Sequence, residues 1–210
     1  MEDKPLSPVS TDPMTLTAHE TSPALIFPTF SSTTAFNLGL ALRNRILTLP
    51  PTSRKPALIS ITLTTAPLPT VDHQPVPPHV VFQCATEPGT IPDNEVWVRR
   101  KRNTVLRWGV SSWLMRNKLL AALSDSEKAG VEAAFVKKYA LRSSCGGAVA
   151  DDYAIHGGGF PVRVRGVDGV VGVIVVSGLK QEDDHQVIVD VVREFILQGG
   201  GMETDIQTPS

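Results

Sequence analysis

The chain of 210 residues lacks most of the features that announce a function at first reading. Cysteine is scarce. Only Cys84 and Cys145 are present, far apart and not at zinc spacing with any histidine, which speaks against a disulfide scaffold or a structural zinc and fits a reducing compartment. Long apolar runs are missing too: the longest, Val170 to Val176, is interrupted by Gly172 and falls far short of the roughly 20 residues that span a bilayer. Neither sign of charge dominates. Twenty Lys and Arg against 21 Asp and Glu give a net charge of -1, so no overall field draws the molecule to nucleic acid or acidic lipid. The phosphate loop G-x-x-x-x-G-K-[ST], the dinucleotide fingerprint G-x-G-x-x-G and the nucleophile elbow G-x-S-x-G are all absent from the sequence. The opening MEDKPLSPVSTDP is acidic and proline-rich, unlike a secretory or transit signal, and a cytoplasmic location without membrane insertion is expected.

What remains is enough for one folded domain. Hydrophobic residues make up 41% and charged residues 20%, the balance of an ordinary globular chain. Residues 1–30 read as a disordered N-terminal tail, 31–197 as a single domain, and 198–210, which open with three glycines, as a flexible C-terminal tail. Five prolines within 66–79 mark an insertion that cannot continue a strand. Apolar spacing predicts a helix over 31–47, paired strands over 57–64 and 79–85, a mainly helical stretch over 95–123 broken near Gly109, and a helix over 126–139. Strands over 159–164 and 170–178 flank the turn RGVDG, and a helix over 181–197 closes the order. Strands joined as hairpins predict an α+β fold, a mostly antiparallel sheet with helices on both faces.

Chemistry concentrates in three places. The stretch 95–119 carries seven positive charges and no acid between Val96 and Leu119, with apolar residues on two sides: Trp97, Val98, Val105, Trp108 and Met115 nearly opposite Leu106, Val110, Trp113 and Leu114. Such a helix predicts two neighbours, its own sheet and a second subunit, with Trp97, Trp108, Trp113 and Arg107 as interface candidates. Its charges suit either ion pairs with acids such as Glu182, Asp183 and Asp184, or carboxylate and phosphate groups of a ligand met by Arg99, Arg100 and Lys101. No stacking platform or motif for nucleic acid accompanies them. The string HGGGFP makes His156, Gly157, Gly158, Gly159 and Phe160 ligand candidates, since glycines let backbone approach a bound molecule. Finally VSGLKQEDDHQ adds Ser177 and His185, its acids explained by a helix N-terminus. A metal shared by His156 and His185 is weighed and set aside, because no dense ligand cluster accompanies them.

The segments FNLGLALR, PGTIPDNEVWVRRKRNTVLRWGVSSWLM, YAIHGGGFPVRV and GVIVVSGLKQEDDHQVIV together resemble an uncharacterised cytoplasmic family of the haem-degrading-domain superfamily, that of the extracellular haem-binding protein and the glycolate-operon proteins. The resemblance implies a profilin-like or roadblock-like layer and assembly into dimers or larger rings. It names haem as the candidate cofactor, with His156 and His185 as iron contacts. Because no nucleophile–base pair emerges, the residues favour a non-enzymatic homo-oligomer that meets protein partners over binding of haem or another anionic ligand.

Overall fold

The computed structural model describes residues 4–64, 78–141 and 150–201. Among them are six α-helices and one four-stranded antiparallel sheet, an α+β architecture. The expected proline-rich insertion at 66–79 lies almost wholly outside the described residues, as do Cys145 and the end of the C-terminal tail.

The sheet forms where β-branched residues cluster. Strands β1 (Leu58–Leu63), β2 (His79–Ala85), β3 (Gly159–Val162) and β4 (Gly172–Ser177) lie in the order β2-β1-β4-β3. β1 and β4 pair centrally, Leu58 opposite Ser177 and Leu63 opposite Gly172. Because side chains alternate, β4 is buried on both faces: Ile174 and Val176 enter the main core with Ile59 and Ile61, while Val173 and Val175 face the other way. Helices α2 (Ser32–Leu47) and α6 (Gln181–Leu197) cover the first face, joining Leu38, Leu42, Val187 and Ile188 to that core. Ser31 caps α2 by accepting the Thr34 N–H.

The second face is covered by α3 (Pro92–Trp108), whose Val98 and Val105 pack on Val173 and Val175. The long basic stretch is two helices, not one. Gly109 ends α3 in the left-handed conformation (φ 68°), and Ser111 caps α4 (Ser112–Leu120) through the Leu114 N–H. α4 therefore leaves the α3 axis, and the expected apolar face opposite the sheet does not continue: Leu106 is exposed, while Trp113 and Leu114 turn into the body. α5 (Val131–Lys138) starts later than expected, after a short 3₁₀ turn at Lys128–Gly130.

A further correction concerns the N-terminus. From Lys4 onward the expected tail packs against the body: α1 (Pro13–Glu20), capped by Asp12, lays Leu16 beside Trp113 and Leu114. The buried Glu20 carboxylate accepts the Ser111 N–H, the Trp113 indole N–H donates to the Ser10 carbonyl, and Leu25 and Phe27 enter the core. Weak periodicity hid this segment. It is held by a few long-range contacts rather than by its own pattern.

Candidate functional site

The end of β4, the Ser177–Leu179 turn, the start of α6 and the inner side of α3 frame a cleft of about 250 Å³. Asn94, Trp97, Lys101, His156, Gln181 and Asp184 line it with that turn. Asn94 fixes the junction: its Oδ1 accepts the Ile91 N–H at the start of α3, and its Nδ2 donates to the Ser177 carbonyl at the end of β4.

At the floor lies a buried ion pair. Lys101 falls between Val98 and Val105 on the apolar stripe of α3 and retains 3% of its side-chain exposure. Its ammonium donates to Asp184 Oδ2 (2.9 Å) and to the Val176 carbonyl (3.0 Å). Asp184, one turn into α6, also accepts the N–H groups of Leu179 (3.0 Å) and Gly178 (3.4 Å). Burial pushes the Asp184 carboxyl above its ordinary value, against the pull of Lys101 and the two backbone donors. Gly158 makes room for the ammonium: at φ 109° it takes a conformation that L residues avoid, and a Cβ there would come within 2.9 Å of Lys101 Nζ.

His156 forms the side wall. Its ring meets the Trp97 indole edge-on with centroids 4.8 Å apart, and its Nε2 lies 3.8 Å from a Glu132 oxygen that Arg116 holds at 2.6 Å. Burial lowers the imidazole pKa, and Arg116, Lys101 and Arg100 lower it further while Glu132 opposes them, so the ring is neutral at pH 7. His156 Nδ1 and Gln181 Oε1 are buried atoms without a hydrogen-bond partner among the described residues. A flat aromatic wall, a buried ammonium and two unsatisfied polar atoms make a site that can hold a small polar molecule.

The structure brings together only part of the sequence-derived set. His156, Lys101 and Ser177 line the cleft, joined by Trp97, expected instead at a subunit interface. The glycines serve packing: a Cβ at Gly157 would collide with the Gln181 carbonyl, and Gly159 lies under the Lys101 backbone. Phe160 points into the core. Arg99 pairs with Asp152, and Arg100 lies over the Trp97 ring while its Nε donates to the Tyr153 carbonyl. His185 is fully buried in a separate cavity near Trp113 and Phe160, with a pKa lowered to about 3 by burial, so the two histidines do not converge. Among the described residues no group of three His, Cys, Asp or Glu could hold a metal. Three proposed interface residues are used within the chain: Trp113 is buried, and Trp108 packs with Phe135, Tyr139 and Tyr153 while Arg107 lies over Trp108 and Tyr153.

Sequence reasoning passed over Asn94, Gln181, Glu132 and Arg116; of the ion pairs it offered between the basic stretch and Glu182, Asp183 or Asp184, the structure forms Lys101–Asp184. A signal was present. Lys101 and Asp184 each stand on the apolar stripe of their helix, where a charge requires a buried partner.

A family model described as haem degrading protein HbpS-like matches residues 30–193, a span that contains every residue of the cleft. A UPF0303 protein of Rhizobium etli is 36% identical over 173 residues, covering 82% of this chain and 84% of that protein. A UPF0303 protein of Streptomyces coelicolor is 39% identical over 112 residues, 53% of this chain and 60% of its own length. Among solved structures, the crystal structure of Ybr137w protein matches with a TM-score of 0.67 and 26% identity, over 90% of this chain and 89% of that one.

Proposed function

Since the chain belongs to the family described as haem degrading protein HbpS-like, we propose that it is a small-ligand-binding protein whose site is the cleft between α3, the end of β4 and the start of α6. The observation that carries this reading is the cleft lining, which combines the buried Lys101–Asp184 pair with His156 and Gln181, each holding a buried polar atom, Nδ1 and Oε1, that no group among the described residues satisfies.

Haem itself does not fit this cleft. Its 250 Å³ lies below the roughly 300–1,000 Å³ of pockets that enclose drug-sized ligands. The two histidines do not converge on one iron: His156 lines this cleft with its Nδ1 buried, and His185 lies in another cavity.

Self-assembly in the cytoplasm is a second reading, compatible with the first. Val80 of strand β2, an edge strand among the described residues, is exposed, as are Phe36 and Leu40 of α2, and such an edge suits a second copy of this chain. The two readings have separate tests. A fragment screen followed through the indole N–H signals of the three tryptophans is expected to give hits that move one signal, the one lost in Trp97→Leu; a screen in which no hit touches that signal overturns the ligand reading. Light scattering of the full chain tests assembly, and a monodisperse monomer overturns it.

A further inference from the structure

The cleft constrains which molecule it takes, and this inference rests on the ligand reading above. An ammonium has three protons, and Lys101 spends one on Asp184 and one on the Val176 carbonyl. The third has no acceptor among the described residues, at a side chain that keeps 3% of its exposure and lines the cleft. An unused charged donor withdrawn from water is costly, and an oxygen acceptor of a ligand removes that cost.

Three cations stand near His156, and each has an acid beside it: Asp184 pairs with Lys101, Glu132 with Arg116, and Asp151 lies 4.0 Å from Arg100. What selects the ligand is therefore the unspent donor of Lys101, for which a negatively charged oxygen is the strongest acceptor.

Shape then selects among anions. One compact ammonium, with no arginine fork aimed into the cleft, suits a carboxylate better than a phosphate, which calls for several converging donors. Trp97 and Leu179 give the cleft an aromatic and apolar side, and 250 Å³ equals the liquid volume of about eight waters, room for roughly ten non-hydrogen atoms.

We infer that the cleft binds a small carboxylic acid with a flat apolar body, its carboxylate on the third proton of Lys101 and its body against Trp97.

Benzoate and benzamide share a ring and differ in charge, which makes them the probes. In the full chain benzoate is expected to move the Trp97 indole signal at millimolar concentration, benzamide to bind about tenfold more weakly, and inorganic phosphate not to displace benzoate. Lys101→Met/Asp184→Leu removes both buried charges together and is expected to erase the preference for benzoate. Trp97→Leu, a change at a half-buried position that leaves the ion pair intact, is expected to weaken both probes alike. Equal binding of the two probes, or a preference that survives the double variant, overturns the carboxylate assignment and leaves the ligand reading standing. Displacement by phosphate overturns the flat-bodied class. If benzoate moves no indole signal the inference fails; the fragment screen then decides whether the cleft reading fails with it.

Discussion

Replacing Lys101 with methionine isolates the interaction that holds the cleft floor together. Methionine keeps most of the apolar stem and removes the ammonium. Asp184, 2% exposed, is left with the N–H groups of Leu179 and Gly178 at 3.0 and 3.4 Å as its remaining partners. Removing one member of a buried pair costs about 3–5 kcal/mol, because the other charge stays in the interior without compensation. At about 2–4 °C per kcal/mol for a chain of this size, Tm falls by roughly 6–20 °C. The loss depends on pH. Without the ammonium, the folded-state pKa of Asp184 rises further above its unfolded value, so the folded protein holds a proton that the unfolded chain releases. Stability from that proton is complete below the unfolded pKa and disappears as pH rises through the folded one, which makes the deficit smaller at about pH 5 than at about pH 8. Adding Asp184→Leu removes the orphaned charge and recovers most of the loss. Urea unfolding followed by tryptophan fluorescence at both pH values measures each quantity. A single variant within about 1 kcal/mol of the parent at the higher pH, or a double variant no more stable than the single one, would refute the reasoning.

Three other outcomes follow from the same geometry. Gly109→Ala is expected to cost about 1–2 kcal/mol by urea unfolding, since a Cβ there meets no atom within 4 Å and only the left-handed backbone resists it. His185, buried with a pKa of about 3, stays neutral in the folded state while the unfolded chain gains a proton below about pH 6.5; stability therefore falls as pH drops between those values, and His185→Phe flattens that slope in denaturation midpoints. Val80→Lys places a charge on the exposed β2 edge and is expected to lower the mass seen by light scattering, an unchanged mass showing that this edge makes no subunit contact.

The relation between sequence and fold differs from element to element. Ser31 before an apolar helical repeat, the alternation of apolar and hydroxyl residues in β1, the β-branched run of β4 and the apolar spacing of α6 are local signals, and those elements lie where the residues predict. Gly109 announced a break but not its consequence. One residue of positive φ turns α4 from the axis of α3, which gives α4 its own neighbours and removes the two-faced helix on which the interface candidates stood. The N-terminal segment carries little periodicity of its own; Glu20, Ser10 and Leu16 find their partners on α4, some 90 to 103 positions away.

The cleft shows the same division most sharply. Composition and periodicity by themselves determined that a helix would carry Lys101, that another would carry Asp184, and that a glycine run would precede β3. Only the tertiary structure decided that Lys101 and Asp184, 83 residues apart, meet at 2.9 Å, that His156 faces Glu132 while His185 lies sealed elsewhere, and that the glycines admit protein atoms. The physical reason is range. Backbone preference and side-chain alternation act over a few residues, whereas the partner of a buried charge is fixed by how helices pack on the two faces of one sheet.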